Sequence, residues 1–152
     1  MSITVHEVEY YYALAKNKPG EAKRLLEFLS EKNVNLLAFT AFPVDDEESQ
    51  LDFFPTDPDL LKKAAEEAGI PLVGPKRAFL IQGDDKIGAL YDFHLKLSNE
   101  GINVHASNAV VDGTGRFGYI IWVKNEEYRK ASEALKASDW RTIHTSPPGA
   151  KS

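Results

Sequence analysis

Two stretches of the chain carry the same succession of hydrophobic and polar positions. Over residues 8–15, β-branched and aromatic residues are enriched, and Val8, Tyr10, Tyr12 and Leu14 recur at every second position. Apolar residues then recur at helical spacing over residues 21–32 and fill both faces of a strand-like run over residues 35–42. The succession returns 68 residues later, and several residues are identical at that offset: Gly20 and Gly88, Ser30 and Ser98, Asn35 and Asn103. Recurrence of both identities and pattern indicates an internal duplication.

The pattern predicts a strand, a helix, two strands and a helix in each copy. In the first copy they span residues 8–15, 21–32, 35–42, 50–54 and 58–68, and residues 70–75 form a short strand or a linker. In the second copy they span residues 78–82, 89–100, 103–111, 116–123 and 126–137, with a closing strand over 140–145. Thr56 or Asp57 is placed to cap the helix that Gly69 ends.

The duplication predicts two domains, residues 1–74 and 75–146, followed by a flexible tail over residues 147–152. Each copy of about 70 residues is small enough to be marginal alone, because small domains bury a low fraction of their surface. We therefore expect the copies to share an interface and expect the apolar strand faces to promote a homodimer.

The amino-acid composition and net charge indicate which kinds of binding partner to expect. The chain is 43% hydrophobic and 27% charged, which is typical of a globular protein, and it has no apolar run of the roughly 20 residues that a membrane span needs. A net charge of −5 disfavours nucleic-acid and membrane surfaces, so we expect small molecules or proteins as partners. The lack of cysteine and of a secretory signal at the N-terminus favours the cytoplasm.

Catalytic and metal chemistry have little support in the sequence. Its four histidines are widely spaced and lie in no nucleophile, zinc-protease or phosphate-loop motif, so we predict no catalytic residue and no enzyme. The acidic run over residues 45–48 is interpreted as a solvated loop, and no metal or cofactor is predicted. A small enzyme remains an alternative, because a fold does not determine a function.

An aromatic strand gives a second alternative. Residues 115–122 partly resemble the aromatic strand motif of RNA-recognition domains, with Phe79 on a neighbouring strand. The net charge and the absence of the motif from the first copy argue against RNA binding. The competing interpretation is an aromatic strand packed in a core or an interface.

The duplicated unit resembles the ACT domain, the regulatory module of amino-acid metabolism. The resemblance rests on the Pro19-Gly20 turn before the first helix and on Val34-Asn35-Leu36 and Ile102-Asn103-Val104 at the starts of strands. It implies an α+β, ferredoxin-like βαββαβ fold repeated twice, with antiparallel sheets and the helices on one face. It also implies a non-catalytic sensor that binds an amino acid at an interface between domains.

The resemblance implicates one set of ligand-binding residues in each copy. These are Asn17, Lys18, Gly20 and Asn35 in the first copy, and Asp85, Lys86, Gly88 and Asn103 in the second. Glycine lets backbone approach a ligand, N–H groups at a helix start attract a carboxylate, and a side-chain amide offers both a donor and an acceptor. Two alternatives to ligand binding remain for these residues. One is that the loops are ordinary turns between a strand and a helix, and the other is that the asparagines form hydrogen bonds with backbone groups at the start of a strand. The alternative function is an interaction module that binds no ligand.

Overall fold

The computed structural model describes residues 3–141, which form two compact units. One unit is Glu9–Lys76, and the other combines the residues up to Val8 with those from Arg77 onward. The unit boundaries therefore fall eight residues into the chain and two residues after position 74. The division into copies at residue 74 that the duplication predicts stays a prediction.

Seven strands and four α-helices make up the described chain. In order they are β1 (Thr4–Lys16), α1 (Glu21–Glu31), β2 (Leu36–Pro43), β3 (Glu48–Pro55), α2 (Pro58–Ala68), β4 (Val73–Asp84), α3 (Tyr91–Asn99), β5 (Ala106–Val111), β6 (Arg116–Trp122), α4 (Tyr128–Leu135) and β7 (Ser138–Asp139). A short 3₁₀ helix, Asn125–Glu127, precedes α4. The strand ends repeat at the offset of 68, since β1 ends at Lys16 and β4 at Asp84.

The unit of residues 9–76 has the strand order β4–β1–β3–β2, and the pairs β1–β3 and β2–β3 are antiparallel. Its core joins alternate residues of the strands to one face of each helix. These core residues include Tyr11, Ala13, Leu51 and Phe53 from the sheet and Leu25, Leu29, Leu61 and Ala64 from the helices. Both helices therefore cover the same face of the sheet.

The second unit repeats this plan with the order β1–β4–β6–β5, and β7 pairs with β1 in parallel at His6 and Glu7. The pairs β4–β6 and β5–β6 are antiparallel. Its core again joins alternate strand residues to two helices, with members that include Phe79, Ile81, Phe117, Tyr119 and Ile121 from the sheet and Phe93, Leu97, Tyr128, Ala131 and Leu135 from the helices. The predicted ferredoxin-like repeat with helices on one face is confirmed.

Strand β4 corrects the predicted elements of residues 70–82. The sequence predicts a short strand or linker over 70–75 and a separate strand over 78–82, whereas the structure has one continuous strand through Pro75. Within residues 9–76, β4 is the outer strand of the order, so the missing N–H of Pro75 costs no bond to a second neighbour.

The end of the second copy also differs from the prediction. Strand β5 begins at Ala106 instead of residue 103, and α4 ends at Leu135 instead of residue 137. The closing strand is Ser138–Asp139, two residues before the predicted 140–145. Residues 142–145 and the predicted tail over 147–152 lie outside the described residues.

Helix α2 shows how the sequence sets its own ends. The Asp57 carboxylate accepts hydrogen bonds from the backbone N–H groups of Asp59 at 3.1 Å and Leu60 at 3.3 Å. At the other end Gly69 adopts φ 69°, ψ 27°, a left-handed conformation that glycine enters without a Cβ clash. Both predicted ends of this helix are confirmed, with Asp57 as the cap.

Replacing the cap tests this account. Asp57→Ala leaves two N–H groups of α2 without their side-chain acceptor, and we expect it to lower the free energy of unfolding by about 0.5–2 kcal/mol. Denaturant unfolding measures the change. Asp46→Ala, in the exposed acidic loop, is the matched control and should stay within about 0.5 kcal/mol of the parent. Equal losses in both variants would contradict the assigned cap.

Candidate ligand site

Two grooves lie beside helix α3 and strand β5. The first, here called the loop groove, has a volume of about 390 Å³. It lies between the segment that connects β4 to α3 and the C-terminal end of β5. Its lining residues are Asp85, Lys86, Gly88, Ala89, Leu90, Tyr91, Ala109, Val110, Val111 and Phe117. Two charged side chains of opposite sign therefore border a mostly apolar groove.

Backbone hydrogen bonds fix the loop that forms this groove. The N–H of Asp85 donates to the carbonyl of Gly115 at 2.8 Å, and the N–H of Tyr91 donates to the carbonyl of Gly88 at 3.0 Å. Gly88 has φ 79°, which favours glycine, and space for a ligand is open beside its Cα. Among residues 3–141, the N–H groups of Ile87 and Gly88 have no hydrogen-bond partner.

The turn between β5 and β6 connects Val111 and Phe117, two residues that line the loop groove. The carboxylate of Asp112 accepts hydrogen bonds from the backbone N–H of Thr114 at 2.7 Å and from its hydroxyl at 2.8 Å. The Thr114 N–H, followed by the Thr114 hydroxyl, holds the pKa of Asp112 below its ordinary value. Beside this turn, Arg116 pairs with Asp84 at 2.8 Å. Asp85, by contrast, has no cationic partner among the described residues.

The second groove, here called the imidazole groove, lies at the other end of α3. It has a volume of about 680 Å³ and is lined by His94, Ser98, Gly101, Ile102, Asn103, Val104, His105, Ala106 and Ser107. The Nε2 atom of His94 shares a short hydrogen bond with the hydroxyl of Tyr119. The expectation of a partly buried, satisfied His94 is met only at Nε2, because the residue is exposed.

The predicted site residues of the second copy are divided between the grooves. Asp85, Lys86 and Gly88 line the loop groove, and Asn103 lines the imidazole groove. Strands β4 and β5 both run antiparallel to β6 and so are parallel to each other, which makes α3 return the chain to the opposite end of the sheet. The six residues of β5 span about 17 Å, so one chain does not bring Asn103 to the loop groove.

The first copy shows the same separation. The side-chain oxygen of Asn17 accepts a hydrogen bond from Ser49 at 3.3 Å, near Gly20 and the start of α1, whereas Asn35 follows the end of α1. Here the Asn35 carbonyl accepts the Thr56 N–H at 3.0 Å. A groove of this unit lies elsewhere, lined by Arg24, Glu27, Phe28, Glu31, Ala68 and Ile70. It contains none of Asn17, Lys18, Gly20 or Asn35.

The aromatic strand motif lies in the core. Phe79, Phe117 and Tyr119 all belong to the hydrophobic cluster of the second unit, and none is more than 6% exposed. Base stacking needs exposed rings, so these three side chains are not available for it. The interpretation of an aromatic core strand is confirmed.

Sequence reasoning missed the residues that make the walls of the grooves. Tyr91 and Val110 border the loop groove, and His105 and Tyr119 form or support the imidazole groove. A comparison of the two copies at the offset of 68 carries a signal for the second set. His94, His105 and Tyr119 correspond to Leu26, Leu37 and Leu51, three apolar residues.

No family model matches the sequence, and no curated protein matches it significantly. Solved structures do match. A protein from Bacteroides thetaiotaomicron is 22% identical with a TM-score of 0.73, and the alignment covers 88% of each chain. The regulatory subunits of aspartate kinase from Thermus flavus and Thermus thermophilus are 14% and 15% identical, with TM-scores of 0.58 and 0.59. Each alignment covers 90% of this chain and 95% of the subunit.

The chain has an ACT-like fold. The resemblance that the duplicated turn and strand starts predict is therefore confirmed at the level of fold. In this ACT-like chain, no helix within residues 3–141 is long and apolar enough to cross a membrane. The same part of the chain contains no group of three or more His, Cys, Asp or Glu residues placed to hold a metal ion.

Removing one hydroxyl tests the geometry of the imidazole groove. Tyr119→Phe deletes the partner of His94 in the second unit, and we expect a loss of about 0.5–1.5 kcal/mol in the free energy of unfolding. The His94 ring signals should shift in the NMR spectrum. Tyr91→Phe is the matched control, because Tyr91 is 64% exposed. An unchanged His94 signal in Tyr119→Phe would contradict the hydrogen bond.

Proposed function

We propose that this ACT-like chain is a non-catalytic, cytoplasmic sensor that binds an amino acid with an apolar side chain in the loop groove. We further propose that a second copy of the chain completes the site with its Asn103, so that ligand binding and pairing of copies favour each other. The observation that carries the proposal is the position of the loop groove at one end of an unprotected edge strand.

The chemistry of the loop groove fits a zwitterion. Asp85 offers a carboxylate to an ammonium group, while Lys86 and the N–H groups of Ile87 and Gly88 offer donors to a carboxylate. Hydrophobic walls remain for the rest of the ligand. These are formed by Ala89, Leu90, Ala109, Val110 and Phe117. An apolar amino acid therefore uses both the charged border and the apolar interior.

Strand β5 is the surface that we assign to the second copy. It is an outer strand with all six residues exposed, and it contains no charged residue and no proline. The other outer strand, β2, has a register shift between Leu36 and Ala38, ends at Pro43, and leads into an acidic loop. Shifts, prolines and charges are the devices that keep strand edges from pairing, and β5 lacks them.

The backbone of β5 is also placed for pairing. The N–H of Asp112 donates to the carbonyl of Arg116, so in an antiparallel ladder Ser107, Ala109 and Val111 direct their N–H and C=O groups away from β6. A second β5 can accept and donate these bonds about a two-fold axis. No like charges meet in that arrangement, although each chain carries a net charge of −5.

Two-fold pairing of β5 brings opposite ends of the strand together. A ladder centred on Ala109 pairs Val111 of one copy with Ser107 of the second, which brings the loop groove of the first toward the end of β5 that follows Asn103 in the second. This pairing would shorten the separation between the two sets of residues, which in one chain includes the roughly 17 Å length of β5. The likeness to regulatory subunits of aspartate kinase supports a regulatory role for such a ligand-dependent interface.

Calorimetric titration with the twenty amino acids tests the ligand. An apolar amino acid should bind, and Asp85→Asn and Asn103→Ala should each weaken it roughly 10- to 100-fold, because each removes a charge-assisted or buried hydrogen bond. Asn35→Ala changes the matching residue of the first copy and is the control, with unchanged affinity expected. No binding by any amino acid would contradict the proposed function and favour an interaction module. Weakening by Asn35→Ala alone would place the site in residues 9–76.

A charge on the edge strand tests the pairing. Val110 is 71% exposed, and Val110→Lys would bring two lysines close together across a β5–β5 pair, so we expect a dimer to become a monomer at micromolar concentration. Light scattering measures the mass. Val44→Lys, at an exposed position after β2, is the control and should leave the mass unchanged. A parent protein that is monomeric with ligand present, or a dimer that survives Val110→Lys, would contradict this interface.

A further inference from the structure

We infer that the imidazole groove is a second binding site, for a small oxyanion such as a carboxylate or a sulfate. This inference goes beyond the proposed amino-acid site, because the groove is contained in one chain and needs neither the loop groove nor a second copy. The two proposals share Asn103, Ala106 and Ser107, and the variants tested below therefore leave all three unchanged.

The two copies differ in a coordinated way at this groove. In the first copy the positions of His94 and Tyr119 are occupied by Leu26 and Leu51, which pack with the hydrophobic cluster of residues 9–76. In the second copy the two residues at these positions form a hydrogen bond with each other. A polar pair gives little net stability over an apolar one, so stability alone does not account for the change.

Other positions along the imidazole groove are also polar in the second copy where the first copy has apolar residues. His105 and Ser107 stand where the first copy has Leu37 and Phe39, while Ser98 and Asn103 match Ser30 and Asn35. The groove thus has two imidazoles, two hydroxyls and an amide at its border. None of its lining residues is a carboxylate or a thiolate.

The side chains that line the imidazole groove indicate the class of ligand that it can bind. Imidazole, hydroxyl and amide groups all donate hydrogen bonds, and no anionic side chain in the lining repels an oxyanion. The groove is less suited to a metal ion, because the described residues contain no group of three or more His, Cys, Asp or Glu side chains placed to hold one. Oxygen acceptors of a small anion therefore match the groove best.

The Tyr119 hydroxyl prepares His94 for this role. When the hydroxyl donates to Nε2, the neutral ring carries its proton on Nδ1, which then donates to a ligand. Within residues 3–141, Nδ1 of His94 has no hydrogen-bond partner. Tyr119 is thus a positioning residue, and His94 and His105 are the proposed contacts to the anion.

NMR titration of the histidine ring signals tests the inference at constant pH and ionic strength. Sodium sulfate and sodium acetate are the probes, and sodium chloride balances the salt. We expect saturable shifts of His94 and His105 with at least one probe and no shift of His6, which is 8% exposed. The sulfate and acetate arms distinguish a tetrahedral anion from a carboxylate.

Two variants locate the response. His94→Leu combined with Tyr119→Leu restores the apolar pair of the first copy and should weaken the response of His105 by roughly tenfold or more. His105→Leu, at an exposed position, should weaken the response of His94 in a chain whose melting temperature is unchanged. Linear shifts of all ring signals alike, or a saturable response that persists in both variants, would overturn the inference. Amino-acid binding at the loop groove is measured separately, so either site can fail alone.

Discussion

The crossover helices determine where this chain can assemble a binding site. Helices α1 and α3 each join two strands that run in the same direction, so each returns the chain from one end of its sheet to the other. The loop before each helix and the residue before the next strand are therefore separated by the length of that helix. For α3, nine residues rise about 14 Å. Chemistry that needs both ends must come from two different places in an assembly.

This constraint gives the outer strands a functional meaning. An exposed strand edge is a hazard when it has no partner, and β2 carries a register shift, a proline and nearby acidic residues that reduce it. Strand β5 itself has no register shift, proline or charged residue, and the exposed Tyr91 lies beside Val110 in the loop groove. Under the proposed function, the exposed edge and the divided candidate site belong to the same unit, so one pairing of copies would cover the edge and complete the site.

Much of the fold follows directly from the sequence, because its signals are local. Alternation over β1, helical spacing over α1 and the Asp57 and Gly69 ends of α2 each depend on neighbouring residues. The extent of strand β4 could not be predicted in the same way. Pro75 is tolerated only where the strand has a single neighbour, and this depends on the order of the strands in the sheet. Strand order is a property of the whole unit.

The site was only partly predictable for a related reason. Glycine, asparagine and charged residues mark the loops correctly, and Asp85, Lys86 and Gly88 do lie together. The sequence pattern does not say that Asn103 belongs to another groove, since that follows from the direction of β5 relative to β4. The bond between His94 and Tyr119 joins residues 25 positions apart, and only a comparison of the copies gives a hint of it.

The unit boundaries lie inside strands β1 and β4, between Val8 and Glu9 and between Lys76 and Arg77. Tandem domains are ordinarily joined by a linker, at which recombination can separate or exchange them without cutting an element. Here any such exchange would break a strand and leave each product without part of its sheet. We therefore expect recombination to keep the two units together, which allows their sequences to diverge without being separated.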